Sequence, residues 1–579
     1  MLDVRRATRS LAVVIALAPV GVAAAPGAGT IEDPIRVDAF PYIVAGDTTG
    51  AASNVIDSYA CAPTLPQTGP EIVYAFELDA PAKVTAWIEG DTATVDIDVH
   101  LLTGLQVVDA EAVECAFRAD RIAEADMPAG THYVVVDTYA GPEQAGPFVL
   151  HLHAIGDAWF EMPIGEGVVW RARRFADLSG PQVVHEIVAD PSVPGVSMEV
   201  VQPPSCQTLA TMAGAAEPQP VAAVNSSFFA SGCASVSLMK ADGTLLSTNA
   251  ANRAAFGLAS DGTPMAAVVA SGANWPEAHH AQGGAGLLMS AGTVHQGSEH
   301  WAAEGLAAGF QGPHPRTWVG HDPDGLLRFG TVDGRRLNAA GMSLDTLATF
   351  VASDHVGTHE AVNLDGGGST TMWVPAASPS GVANYPSDAG MLELADHGGS
   401  RGLGGALFIH ANPYNFPPRF QTEPPTSVQA GTTYLYQPHA IDLDVDDTIT
   451  FVLAQGPADM SIDPQTGRTT WDTSVESPPA VEVAIVARDQ RGAETSQAWT
   501  LTVIGGMGPS NDSDGDDEPT TEPGVTVDEE TTAATGCESA GCEPAGDASQ
   551  PGGCSCRSSS PASLWVFLVV FAGVRRRRR

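Results

Sequence analysis

Asn363-Leu-Asp-Gly-Gly-Gly-Ser369 is the stretch on which the reading of this chain turns. The residues before it, from Glu360 to Leu364, have strand character, and their end delivers Asp365 to three consecutive glycines. A backbone without Cβ atoms can approach a ligand or another segment closely. The successive N–H groups of Gly366, Gly367 and Gly368, with the hydroxyls of Ser369 and Thr370, form an expected anion cradle. Period two places Glu360 on the face of Val362 and Leu364, opposite Asn363 and Asp365. Asp365 is therefore the first candidate for a chemical carboxylate, as nucleophile or base, and Glu360 is set aside.

Around this loop, residues 160–412 combine strand-like runs with one clear helical period. Val221-Ala-Ala-Val224 and Gly404-Gly-Ala-Leu-Phe-Ile-His410 read as strands. Ser343–Ser353 reads as a helix, because Leu344, Leu347 and Val351 fall three and four apart on one face. Ser343 can cap its start, although Thr346 stands where a capping box would have an acid. The segment is expected to be α+β. Asp333 is the second candidate carboxylate. Arg316 is expected to offer a bidentate fork to a phosphate oxygen, and Asn225 and Arg253 are candidates for sugar and phosphate contacts. Arg335 and Arg401 complete a local basic pocket, which an acidic chain needs if it is to admit an anion.

Five motifs punctuate the segment: Asn225-Ser-Ser-Phe-Phe229, Gly283-Gly-Ala-Gly-Leu-Leu288, His314-Pro-Arg-Thr-Trp-Val-Gly320, Val332-Asp-Gly-Arg335 and Asn363-Leu-Asp-Gly-Gly-Gly-Ser-Thr370. In this order they resemble the phosphodiester glycosidase family, that of the animal uncovering enzyme, whose bacterial relatives are associated with exopolysaccharide. Ser226 departs from the pattern, standing where glycine is frequent. The resemblance implies cleavage of a sugar C1–O bond whose leaving group is a phosphate monoester. Such a group departs readily, so a carboxylate that activates water or forms a glycosyl ester matters more than strong acid assistance. The competing readings are a non-catalytic surface protein that binds anionic glycans in the same cleft, and cleavage at P–O. His279, His280, His314, His321 and His355 lack the spacing of a zinc site, and no serine nucleophile elbow is visible, so no metal or cofactor is expected for the chemistry.

Two β-sandwiches are expected to flank this segment. In 31–155, alternation in Lys83–Glu89, Thr94–His100 and Thr131–Asp137 marks strands. The runs Asp96–Leu101 and Gly130–Asp137 resemble the pre-peptidase C-terminal type of sandwich, which implies an accessory binding or targeting role. In 416–504, Pro417-Pro-Arg-Phe420, Ala440–Asp447, Asp463–Gly467 and the strands ending at Ala487 and Val503 resemble cadherin-like or Ig-like repeats of bacterial surface proteins. Hard oxygens from Glu89, Asp96 and Asp98, or from the acids of Ala440–Asp447, suit a structural Ca²⁺.

The 579 residues are 44% hydrophobic and carry 68 Asp and Glu against 27 Lys and Arg, a net charge of −41. Such a surface repels nucleic acid and anionic lipid. Arg5, Arg6 and Arg9 precede the apolar run Leu11–Val20, and residues 1–24 read as a signal peptide cleaved after Ala24. In an exported chain the eight cysteines become informative, and the expected bonds are Cys61–Cys115 and Cys206–Cys233. Residues 505–553 read as an acidic disordered stalk, with twelve acids between Asp512 and Asp547 and no base. Gly553-Cys554, the apolar run Leu564–Val574 and five terminal arginines resemble the tripartite sorting signal of myxobacterial surface proteins. That resemblance implies a sorting protease acting near Gly553-Cys554, with lipid on Cys554 as a further implication. Through residues 554–579 it implies display at the cell envelope, with membrane contact only through this segment or its lipid.

Overall fold

Alternating burial builds most of the molecule. Along Glu494–Ile504, Trp499, Leu501 and Val503 point inward while Thr500 and Thr502 point out. This is the period-two signature of a sheet with one solvated face. The computed structural model describes residues 27–390 and 393–507. The signal peptide, nearly all of the stalk and the sorting signal lie outside the described residues. Among the described residues, no helix is long and apolar enough to cross a membrane.

Two sheets close the N-terminal part. One runs in the order Ile35–Arg36, Glu71–Leu78, Gly130–Thr138, Ile97–Leu102, Cys115–Ala119. The other runs Ile122–Met127, Ala82–Glu89, Pro147–Ile155, Tyr42–Asp47. Tyr74, Phe76, Val84, Ile88, Val99, Val134 and Leu150 fill the space between them. A disulfide joins Cys61 to Cys115. The acids expected to gather around calcium here do not. Asp98 is buried against Arg118 and Gln67, and Glu89 pairs with His151 at 2.9 Å. The second oxygen of Asp98 is buried without a hydrogen-bond partner among the described residues.

The central part is built on an eight-stranded antiparallel sheet. Its order is Phe160–Gly165, Val168–Phe175, Gln182–Ala189, Leu327–Val332, Arg316–His321, Glu360–Asn363, Leu287–Ser290, Thr293–Val294. A four-stranded sheet (Ser197–Val201, Ala406–His410, Ala222–Asn225, Met372–Trp373) shares one apolar core with it, lined by Trp170, Phe329, Val319, Leu364 and Leu407. A five-stranded sheet carrying Arg253–Leu258 and His280–Gly283 contributes Phe256 to the same core. The second disulfide, Cys206–Cys233, lies here.

The expected helix is present as Leu344–Ala352. The Ser343 hydroxyl accepts from the Thr346 N–H, and Leu344, Leu347 and Val351 are buried. The α+β expectation is otherwise corrected, because the remaining α-helices among the described residues are no longer than six residues. Strands dominate because glycine-rich turns and β-branched runs supply few windows long enough for a helix to bury a face.

After the central part come a four-stranded sheet (Ser427–Gln429, Glu494–Ile504, Ala480–Arg488, Thr450–Gln455) and a three-stranded sheet (Thr433–Tyr436, Thr469–Asp472, Ser461–Ile462). They enclose Tyr434, Trp471, Ile485, Trp499 and Leu501.

Candidate active site

The strand Glu360–Asn363 lies inside the large sheet, antiparallel to Arg316–His321 on one side and Leu287–Ser290 on the other. Where it ends, the backbone stays tethered. Leu364 donates to the Thr317 carbonyl at 2.8 Å and Asp365 to the Ser226 carbonyl at 3.1 Å. The Asp365 carbonyl in turn accepts from Asn225 Nδ2 at 2.6 Å. The main chain of Asp365 is thus held on both sides, and the residue as a whole is half-buried. Burial pushes its carboxyl up to about 7. The Ser369 hydroxyl, the charge of Arg401 and the Gly366 N–H oppose that rise. A carboxyl that changes charge near neutrality is suited to proton transfer or nucleophilic attack.

The three glycines let three other groups come close. A Cβ on Gly366 would sit 2.7 Å from the Pro315 carbonyl oxygen, and one on Gly367 would sit 2.9 Å from Arg335 Nη2. A Cβ on Gly368 would collide with Asp388 and Arg401. Gly367 also has φ +63°, in the left-handed region. The loop continues as a tight 3-10 turn, Gly367–Ser369.

That turn changes the expected cradle. Gly367 N–H donates to the Pro315 carbonyl at 2.9 Å, Ser369 N–H to Gly366 at 3.3 Å and Thr370 N–H to Gly367 at 3.2 Å. Most amides of the loop are therefore engaged within the protein, and the positive charge beside it comes from guanidinium groups. Arg335 lies over Gly367, with Nη1 3.4 Å from Ser387 Oγ and Nη2 3.4 Å from His314 Nδ1. Arg401 lies over Gly368 in a two-point pair with Asp388, Nε at 2.5 Å and Nη2 at 2.7 Å.

Two expected ligand contacts, Asn225 and Arg316, and the second candidate carboxylate, Asp333, have their polar groups engaged inside the protein. Asn225 is buried, its Oδ1 accepting from Thr317 Oγ1 at 2.7 Å and Thr371 N at 3.0 Å, so it ties the loop to its neighbours. Arg316 is 4% exposed. Its Nε donates to the Met342 carbonyl, and one Nη donates to those of Phe310 and Gly312. Burial, with the charge of Arg335 nearby, lowers its pKa to about 10. Arg316 thus anchors the strand behind the glycine loop, and its fork is closed by carbonyls. Asp333 is wholly buried, receiving Asn384 Nδ2 at 3.0 Å and the Tyr385 N–H at 3.3 Å. Burial lifts its carboxyl to about 6. Its bonds hold Asn384 and Tyr385, a few residues before Asp388, rather than facing a ligand.

Arg253 is different. Its Nε and Nη1 are buried and have no hydrogen-bond partner among the described residues, and its guanidinium lies 5.4 Å from the Phe228 ring centre. Burial lowers its pKa, and Glu304 counters that. The Ser226, Ser227 and Thr370 hydroxyls, which belong to the two segments flanking Asp365, are likewise buried without a partner among the described residues. Asp388, Ser387 and His314 were not singled out for the site from sequence. Ser387-Asp-Ala-Gly390 carries only turn composition, and nothing in it signals a partner for Arg401.

Residues 218–408, which hold every side chain just described, match the family model described as NAGPA, phosphodiester glycosidase. These residues form a phosphodiester glycosidase domain. Among solved structures, the chain is similar to the catalytic domain of zebrafish N-acetylglucosamine-1-phosphodiester alpha-N-acetylglucosaminidase, auto-inhibited by its pro-peptide. The identity is 21% over 45% of this chain and 87% of that one, with a TM-score of 0.35. A hypothetical protein from Synechocystis is 14% identical over 59% of this chain and 76% of its own, with a TM-score of 0.36. The pre-peptidase C-terminal domain of a Bacillus anthracis collagenase is 13% identical over 20% of this chain and 92% of its own, at 0.15. No curated protein matches the chain.

Outside this domain, Asp442, Asp447 and Asp489 each offer a carboxylate oxygen, and the three lie within 4.8 Å of one another. One oxygen each of Asp442 and Asp489 is buried without a hydrogen-bond partner among the described residues. Burial and the neighbouring acids raise the Asp442 carboxyl to about 6. Asp447 is engaged by Gln490 and Arg491, so the free oxygens of Asp442 and Asp489 are the part of this cluster whose chemistry suits a calcium ion.

Proposed function

We propose that the protein hydrolyses glycosyl phosphodiesters, releasing the sugar by cleavage at C1–O with Asp365 as the catalytic carboxylate. The observation that carries this reading is Asp365 itself: half-buried, poised near pH 7, and set beside Arg335 and Arg401 in a phosphodiester glycosidase domain. The phosphate lies against Arg335 and Arg401, whose charges stabilise the departing phosphate monoester. Ionised Asp365 either attacks C1 to form a glycosyl ester or removes a proton from the attacking water. Arg253, with two unpartnered donors, takes a second polar or anionic part of the substrate, and the hydroxyls of Ser226, Ser227 and Thr370 meet sugar hydroxyls. Polysaccharide, glycolipid and wall polymer all present such diesters.

The reading extends to location. The two disulfides suit an oxidising compartment. Residues 554–579 display the enzyme at the cell envelope after processing at Gly553-Cys554, and the Asp442 cluster holds calcium.

Incubating the enzyme with sugar-1-phosphate methyl diesters in ¹⁸O-water tests the reaction. Label in the released sugar is expected. Label in phosphate would mean P–O cleavage, and no turnover across a panel of sugars and both anomers would favour a glycan-binding protein.

A further inference from the structure

The described residues of 384–401 connect the glycine loop to a different part of the molecule. Near its ends this segment serves the site, through Asp388 and Arg401 at Gly368 and through Ser387 at Arg335. Between them it grips the N-terminal sheets. His397 Nε2 meets Glu124 Oε1 at 2.9 Å, with side-chain exposures of only 4% and 11%. Glu393 pairs with Lys83 and also accepts from Asn338 Nδ2 at 2.7 Å. The Tyr385 ring centre lies 4.2 Å from that of His397, and the Lys83 ammonium lies 4.7 Å from the centre of the same Tyr385 ring. Glu124 also accepts from the Thr85 hydroxyl at 3.0 Å. The same contact is lined by His153 and His185, two buried imidazoles whose pKa values burial depresses.

The electrostatics make this an ion pair. Burial alone would raise the Glu124 pKa, but His397 and Lys83 outweigh it and bring the carboxyl down to about 2. Burial would lower that of His397, and Glu124 reverses the direction. Breaking one side of such a pair leaves a buried charge uncompensated, so the contact yields as a unit.

We propose that Glu124, in the N-terminal sheets and outside the matched domain, is a positioning residue for the phosphodiester glycosidase site. Through His397 it fixes the segment that carries Asp388 and Arg401 to the glycine loop, and so sets the charge that Asp365 senses. The N-terminal sheets are on this view a structural part of the active enzyme. The inference rests on the proposed function for its kinetic arm only.

The full chain bearing E124Q is compared with wild type, with H397Q as the same break made from the other side. E124D retains the charge, and E89Q breaks the separate Glu89–His151 pair as a control. E124Q and H397Q are expected to lower kcat/KM on the order of ten- to a hundred-fold, as small misplacements of binding groups do. They should also move the acidic limb of the pH profile upward, because Arg401 no longer holds the Asp365 carboxyl down. E124D is expected to recover most of the loss, and E89Q to match wild type. A merely destabilising change would reduce the folded fraction and leave the limb in place; that result, or kcat/KM within two-fold of wild type, overturns the proposal. Hydrogen exchange gives an arm independent of turnover. Amides of 393–401 and of 366–370 should exchange faster in E124Q than in wild type or E89Q, and unchanged exchange at 366–370 would refute the coupling even if no substrate is found. If wild type turns over nothing while E124Q loosens 366–370, the proposed function fails and the positioning stands.

Discussion

Asp365 holds two opposed influences in one side chain. Burial favours the neutral carboxyl, and Ser369, Arg401 and the Gly366 N–H favour the charge, leaving it to titrate at about 7. Since the proposed role requires the ionised form, kcat/KM should rise with pH through about 7, and R401A should carry that limb to higher pH. A rate that instead falls through 7 would recast Asp365 as an acid. The same shift has a consequence for stability. The folded carboxyl holds its proton more tightly than the unfolded one, so the folded state loses stability as pH rises from about 4 through 7. D365N should therefore abolish turnover yet raise stability at pH 8 by on the order of 2 kcal/mol, a gain that vanishes near pH 4. Denaturant melts of the two proteins at both pH values check this; a D365N protein weaker than wild type at pH 8 would refute it. The place of Asp365 just past the strand Glu360–Asn363 was legible because strand alternation gives way there to three glycines. The roles of Asn225 and Arg316 were not, because a residue type that can bind a ligand can equally bind carbonyls brought to it by the fold.

At the scale of elements, the legible features were those with local causes. The helix Leu344–Ala352 follows from three apolar positions and a serine cap, and the strand Glu360–Asn363 from alternation. The arrangement over the glycine loop depends instead on Pro315, Arg335, Asp388 and Arg401, which reach it from three separate segments. Each glycine answers to one of those neighbours. Gly368 is the most sensitive, since its missing Cβ is what allows Asp388 and Arg401 to meet there. G368A should displace that pair, destabilise the fold by about 1–3 kcal/mol as overpacking does, and raise the pH of the Asp365 limb in the direction expected for R401A. G312A, where a Cβ meets nothing within 4 Å, should leave both stability and the limb near wild type. Thermal melts and pH profiles of the two variants separate a specific fit from a general intolerance of side chains in loops.

Across the molecule, the short run Ala440–Asp444 gathers the parts together. Ile441 packs into the core of the N-terminal sheets and Leu443 into the central core. Asp444 accepts from the Phe416 N–H at 2.7 Å. Arg419 reaches back to Asp38 and to the Pro41 carbonyl. Between Ile441 and Leu443 stands Asp442, facing Asp447 and Asp489. Arg491 pairs with Asp444 and Asp447, which leaves the buried free oxygens of Asp442 and Asp489 uncompensated. Without a cation this junction should weaken as pH rises through about 6, since the folded carboxyl of Asp442 resists ionisation. Calcium would reverse that trend, because it binds the ionised oxygens. Excess calcium at a hundred times its Kd contributes about 2.7 kcal/mol, and the site lies where three sets of sheets meet. The gain should therefore appear as one cooperative calorimetric transition moving upward, larger at pH 8 than at pH 5. D489N should lose most of it. Calcium that leaves the transition where EGTA does, or raises D489N equally, would show that the three carboxylates hold no ion and that Arg491 alone balances the junction.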